Sequence, residues 1–242
     1  MKMTFPTQGI VEDCLNKIFS GLPASSLSSS ITIFGNIPEY HNAPGAYGTL
    51  PVHVSQITGI DIPILLTNDD KEDKETVVIV AQDPLRSIKD PMLKPFIPFD
   101  KSIVGTPFAF HYELQYYKQT EVYRLIVDGL LKKGYNVYIT DIWKCWDKSK
   151  TYRGLWKKGN PHFDCLVEEI DEIKPNYVIL MGKQAQNNFK KIKFTYKQPK
   201  LICVPHPSAA ANGAWVRQIG KCDIKTKANY IIKQFLKEAG EK

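Results

Sequence analysis

No run of about 18 apolar residues occurs anywhere in the 242-residue sequence, so no membrane-spanning helix is expected. The chain opens Met1-Lys2-Met3-Thr4-Phe5-Pro6, without the long apolar stretch of a secretory signal. Cysteine is scarce. The five present are an odd number in no regular framework, which argues against a disulfide scaffold and for reduced thiols in a cytoplasmic protein. Internal repeats are absent as well. Acidic residues are outnumbered, 25 against 32 Lys and Arg, and the net charge of +7 comes mainly from lysine. That balance favours a polyanionic partner and says nothing about the fold. What is present is enough apolar material, 43% of residues, to bury a sizeable core, and a length that fits one α/β domain.

Four apolar runs rich in β-branched residues stand out: Val77–Val80, Val137–Thr140, Tyr177–Leu180 and Leu201–Val204. They do not alternate strictly between apolar and polar, as expected of strands buried on both faces of a parallel sheet. Helical periodicity lies between and after them. Glu121 to Lys133 places Val122, Leu125, Ile126 and Leu130 on one face, with Gly134 as C-cap. Phe163 to Ile173 gathers Phe163, Leu166, Val167 and Ile170, and Pro175 follows its end. Lys183 to Lys190 and Lys225 to Lys237 complete the set. The alternation predicts right-handed crossovers and an α/β fold, a three-layer α/β/α sandwich with a central, mainly parallel four-stranded sheet. Residues 1–75 read as an N-terminal extension packed on a single domain spanning 1–242, because polar Ser25–Ser30 and Gly/Pro-rich Pro38–Pro51 show no periodicity.

Ligands of open parallel sheets bind beyond the carboxyl ends of the strands. The four predicted strands run there into Ala81-Gln82-Asp83-Pro84, Asp141-Ile142-Trp143-Lys144-Cys145, Met181-Gly182-Lys183-Gln184-Ala185 and Pro205-His206-Pro207-Ser208. Two carboxylates, a glycine turn and a histidine therefore converge on one edge.

Gln82-Asp83-Pro84 resembles the water-activating motif of uracil-DNA glycosylases, and His206-Pro207-Ser208 resembles their second motif. Gly105-Thr106-Pro107-Phe108 is similar to the turn bearing the phenylalanine on which the base stacks. Val137 to Cys145 resembles the strand and loop of the base-reading residue, in the form of the thermophile-type branch. All four stand in the family's order, over roughly residues 77 to 217.

The resemblance implies a monofunctional glycosylase that hydrolyses the bond between deoxyribose and uracil, or a related deaminated or modified base. Asp83, which as Asp-Pro could merely shape a turn, would stabilise the cationic sugar and orient water. His206 would support the departing base rather than serve as a satisfied loop histidine. Gln82 and Pro84 would hold their loop close to the base and a phosphate, and Ser208 would bond a backbone phosphate. Phe108 offers a flat apolar face to a flipped base, although a proline-rich insertion, Pro91 to Pro98, leaves Phe110 as the alternative ring.

Asp141 departs from the family, which carries asparagine there. An ionised aspartate accepts from the ring N–H of uracil and cannot donate to its carbonyl oxygen. Three readings stay open: a carboxyl kept protonated by burial, a base other than ordinary uracil, or lost recognition; a helix cap is the structural alternative. Lys144 opens a stretch of basic and aromatic residues reaching Lys158, suited to tracking a nucleic-acid backbone. After the histidine motif, Ala209–Ala211 are too small to fill the gap left by a flipped base, leaving either Trp215 or Arg217 for that contact or a preference for single strands and bases already mispaired.

Cys145 and Cys165 stand where thermophile-type relatives hold two of four iron–sulfur ligands, but only Cys14 is available for the other pair. His162 and Cys165 alone do not make a metal site. Neither metal nor cofactor is expected. The expected partner is DNA, single- or double-stranded, met by a monomer. The rivals are a catalytically lapsed nucleic-acid or modified-base binder on the same fold, and an enzyme of free nucleosides.

Overall fold

Valines and isoleucines fill both faces of the central strands, so each strand needs a helical layer on either side. The computed structural model describes residues 2–4, 30–34, 49–51, 57–61, 63–67, 75–82, 102–106, 118–147 and 161–241. In chain order the elements are β1 (Lys2–Thr4), β2 (Ser30–Phe34), β3 (Thr49–Pro51), β4 (Ile57–Asp61), β5 (Ile64–Thr67), β6 (Thr76–Ala81), β7 (Ser102–Thr106) and α1 (Lys118–Lys132). There follow β8 (Asn136–Asp141), β9 (Cys145–Asp147), α2 (Pro161–Ile173), β10 (Tyr177–Met181), α3 (Lys183–Phe189) and β11 (Lys200–Val204). A 3-10 turn (Ala209–Ala211) then leads into α4 (Asn212–Ile219) and α5 (Ile224–Ala239).

The four expected strands are there and parallel, in the order β8-β6-β10-β11, with Val77 opposite Val137 and Tyr177. The sheet is larger than the expected four strands. Antiparallel β5 and β1 extend it beyond β8 to six. A second sheet of five short strands has the order β3-β2-β7-β4-β9. Strands of three to five residues flanked by glycine and proline leave no readable periodicity.

Side chains alternate across the central sheet. Val77, Ile79, Val137 and Ile139 face α1 and α5, where Val122, Ile126, Leu130, Ile231 and Phe235 close the core. Val78, Val80, Tyr138, Val178 and Leu180 face α2 and α3, against Leu166, Ile170, Ala185 and Phe189. Each such side chain contributes about 1.5–3 kcal/mol on leaving water, so these two seams dominate the stability. Gly134 ends α1 as read, at φ 96, and Asp223 caps α5 by accepting from the Thr226 N–H at 2.9 Å. Among the described residues no helix is long and apolar enough to cross a membrane.

Candidate active site

Parallel strands deliver their final residues to one edge. Ala81 pairs with Asp141 in register, and the chain beyond is stitched across the two strands. The Ile142 N–H donates to the Ala81 carbonyl and the Trp143 N–H to the Gln82 carbonyl, both at 3.1 Å. Half-buried Gln82 and Asp141, 8% exposed, are thereby held side by side. Asp83, Pro84, Phe108 and the alternative Phe110 lie outside the described residues.

Beneath the Asp141 loop a buried polar cluster sets the backbone. Lys144 Nζ lies 2.7 Å from Glu169 Oε1 and 2.8 Å from Oε2, and donates to Thr140 Oγ1 at 2.5 Å. The Thr140 hydroxyl donates to Glu169 Oε2 at 2.7 Å. Lys144 is 2% exposed, so the sequence reading of it as a DNA contact is corrected. A loop lysine with a carboxylate on the facing helix is drawn inward, because a buried carboxylate demands a partner. The Lys144 backbone N–H donates to His162 Nδ1 at 3.0 Å. Burial, and then the nearby Lys144 ammonium, push the His162 imidazole down to about 3, so it is neutral. Glu169 and His162 were missed as positioning residues; their only sequence signal is that both lie on the inward stripe of α2.

The histidine lies on the loop that follows β11. β10 is followed by Gly182, whose φ of 87 and ψ of 159 belong to a region essentially reserved for glycine. A Cβ here would lie 3.0 Å from the His206 Cβ. The Gly182 N–H donates to the Val204 carbonyl at 2.8 Å, and Gln186 Nε2 donates to the same oxygen at 2.9 Å. β10 and β11 are thus tied at the point where the His206 loop leaves the sheet.

Within that loop the Ser208 N–H donates to His206 Nδ1 at 3.1 Å. An accepting Nδ1 places the proton of a neutral imidazole on Nε2. His206 and Ser208 are both half-buried. The carbonyls of the loop point inward: Trp215 Nε1 donates to His206 O at 2.8 Å, and Lys227 Nζ donates to Pro207 O at 3.1 Å.

Trp215 is wholly buried, which corrects its assignment to the DNA-contacting set. The segment read as a wedge loop folds into α4, and helical periodicity turns Trp215 inward against Tyr230, edge to face at 5.9 Å. Arg217 is exposed, its guanidinium lying beside Gly213.

Among the described residues no group of three His, Cys, Asp or Glu side chains could hold a metal ion. Cys165 is disulfide-bonded, which corrects the expectation of reduced thiols for this residue: a count of cysteines cannot see which sulfurs the fold brings together. A cleft of about 510 Å³ lined by Phe163, Asp164, Lys191 and Lys193 opens between α2 and the turn after α3, not at the strand ends.

The arrangement, with its Asp141 loop and its histidine loop at the ends of parallel strands, coincides with a family assignment. Residues 69–230 match the model of the uracil DNA glycosylase superfamily. The chain belongs to that superfamily. The match runs from just before β6 into α5 and so contains both loops. A search among curated proteins finds no match. Superfamily membership supports a glycosylase-type function with DNA as the substrate, in general terms.

Proposed function

We propose that the protein is a monofunctional DNA glycosylase that releases uracil, or a related deaminated or modified base, from DNA. The observation that carries this reading is the His206 imidazole, whose Nδ1 accepts the Ser208 N–H so that the proton of the neutral ring sits on Nε2, in a chain of this superfamily. The bond between C1′ and the base breaks with its electron pair leaving on the base. His206 Nε2–H then donates to the carbonyl oxygen on which negative charge develops. Asp83 supports the cationic sugar and orients the water that adds to C1′; the proton that water loses passes to the base anion, giving free base and an abasic site. Gln82 and Asp141 read the base edge, Phe108 stacks on it, and Pro84, Ser208 and Arg217 meet the backbone. The reading includes a single-domain monomer acting in the cytoplasm without a cofactor.

Incubation with uracil-containing single- and double-stranded oligonucleotides, followed by alkali, tests it. Strand cleavage that disappears in Asp83→Asn and His206→Ala is the expected result. Binding that falls with salt and leaves the base in place sinks it. That outcome belongs to the second reading, a catalytically lapsed binder of DNA or a modified base. Asp141 at a position where the family carries asparagine favours it, because a carboxylate repels the carbonyl oxygen beside the N–H it accepts from.

A further inference from the structure

A lysine occupies the buried stripe of α5. Lys227 is 4% exposed and stands beside Ala228 and Ile231, where an apolar residue would pack without a desolvation cost. Its ammonium meets the Pro207 carbonyl at 3.1 Å and Asn212 Oδ1 at 2.7 Å, and lies 6.0 Å from the centre of the Trp215 ring. Each of these partners is neutral. Lys144, the other buried lysine, has a carboxylate on it; Lys227 has none among the described residues. A buried cation held only by dipoles keeps its field, and that field falls on the residue next to Pro207, which is His206.

We propose that Lys227 is a positioning residue of the glycosylase site: it clamps the histidine loop from behind and holds the His206 imidazole neutral, with Nε2 as donor. Its catalytic meaning rests on the reading above; its electrostatic content does not. A positive charge behind an imidazole opposes protonation, and an imidazolium could no longer accept the Ser208 N–H at Nδ1. The charged residues carried near that loop by the elements around it, among the described residues, include Lys183 after Gly182, Arg217 on α4, and Asp223 and Lys225 at the start of α5, all of them exposed. Asp141 and Glu169 are the buried carboxylates among the described residues, and Glu169 is already paired with Lys144. Water screens the exposed charges, whereas the Lys227 field reaches the loop through protein.

The test is a nuclear magnetic resonance titration of the His206 ring protons in the full-length protein. Lys227→Met is expected to raise the His206 midpoint by about half a unit to one unit. Lys227→Arg, which keeps the charge, is expected to restore the parent value. Asn212→Asp, which keeps the clamp and adds a counter-charge, should raise the midpoint too, and serves if Lys227→Met does not fold. In parallel, the acid limb of kcat for base release should move to higher pH by the same amount, with KM little changed. A His206 midpoint unmoved in both Lys227→Met and Asn212→Asp overturns the proposal. A shifted midpoint in a protein that releases no base upholds this inference and sinks the glycosylase reading instead.

Discussion

Replacing Lys144 by methionine would strand Glu169, a carboxylate 6% exposed, without its cation and without the donor that shares Thr140 with it. The ammonium reaches both carboxylate oxygens within 2.8 Å, and the two side chains are only 2% and 6% exposed. Breaking one side of such a pair costs about 3–5 kcal/mol. Against a total stability of about 5–15 kcal/mol, this is a large fraction. For a chain of this size it corresponds to a fall in Tm of roughly 6–20 °C. Replacing Glu169 by glutamine at the same time removes the stranded charge and keeps an acceptor for the Thr140 hydroxyl. The double variant should therefore recover at least about 2 kcal/mol relative to the sum of the single losses. Urea unfolding of the four proteins measures this, and salt-dependent oligonucleotide binding runs alongside. Should Lys144→Met leave the unfolding midpoint unchanged while flattening the salt dependence of DNA binding, the side chain is a surface phosphate contact and the reasoning fails.

Three further outcomes are expected. Gly182→Ala forces a side chain into a conformation worth about 1–3 kcal/mol of strain and places its Cβ 3.0 Å from that of His206; base release should fall far more than DNA binding, and equal loss of both would count against it. His162, held near 3 against an ordinary 6.5, makes folding pH-dependent: the unfolded chain takes up a proton below about 6.5 that the folded site refuses, so stability is full above that pH and declines toward pH 3. By pH 5 the decline amounts to about 2 kcal/mol, read as the difference between parent and His162→Asn in urea unfolding at pH 7 and 5; no difference between the two pH values removes the argument. Asp141→Asn supplies an amide that donates to a uracil carbonyl and should raise kcat/KM on uracil-containing DNA about tenfold or more; a decrease would show that the carboxylate reads a different base.

What the sequence determined by itself was the periodic part of the molecule. Strands β6, β8, β10 and β11 and helices α1, α2, α3 and α5 declared themselves because two-sided burial and one-sided helical burial leave regular marks over five or more residues. The same marks set the sheet edge to which Gln82, Asp141, Gly182 and His206 belong, since parallel strands share a direction. Tertiary structure alone decided which polar side chains point inward. Lys144 and Trp215 read as DNA contacts from their neighbours in the chain, but their partners, Glu169 and the His206 carbonyl, lie 25 and 9 residues away. Whether a lysine faces water or a buried carboxylate depends on what the facing helix offers, and a one-dimensional pattern carries no record of that pairing.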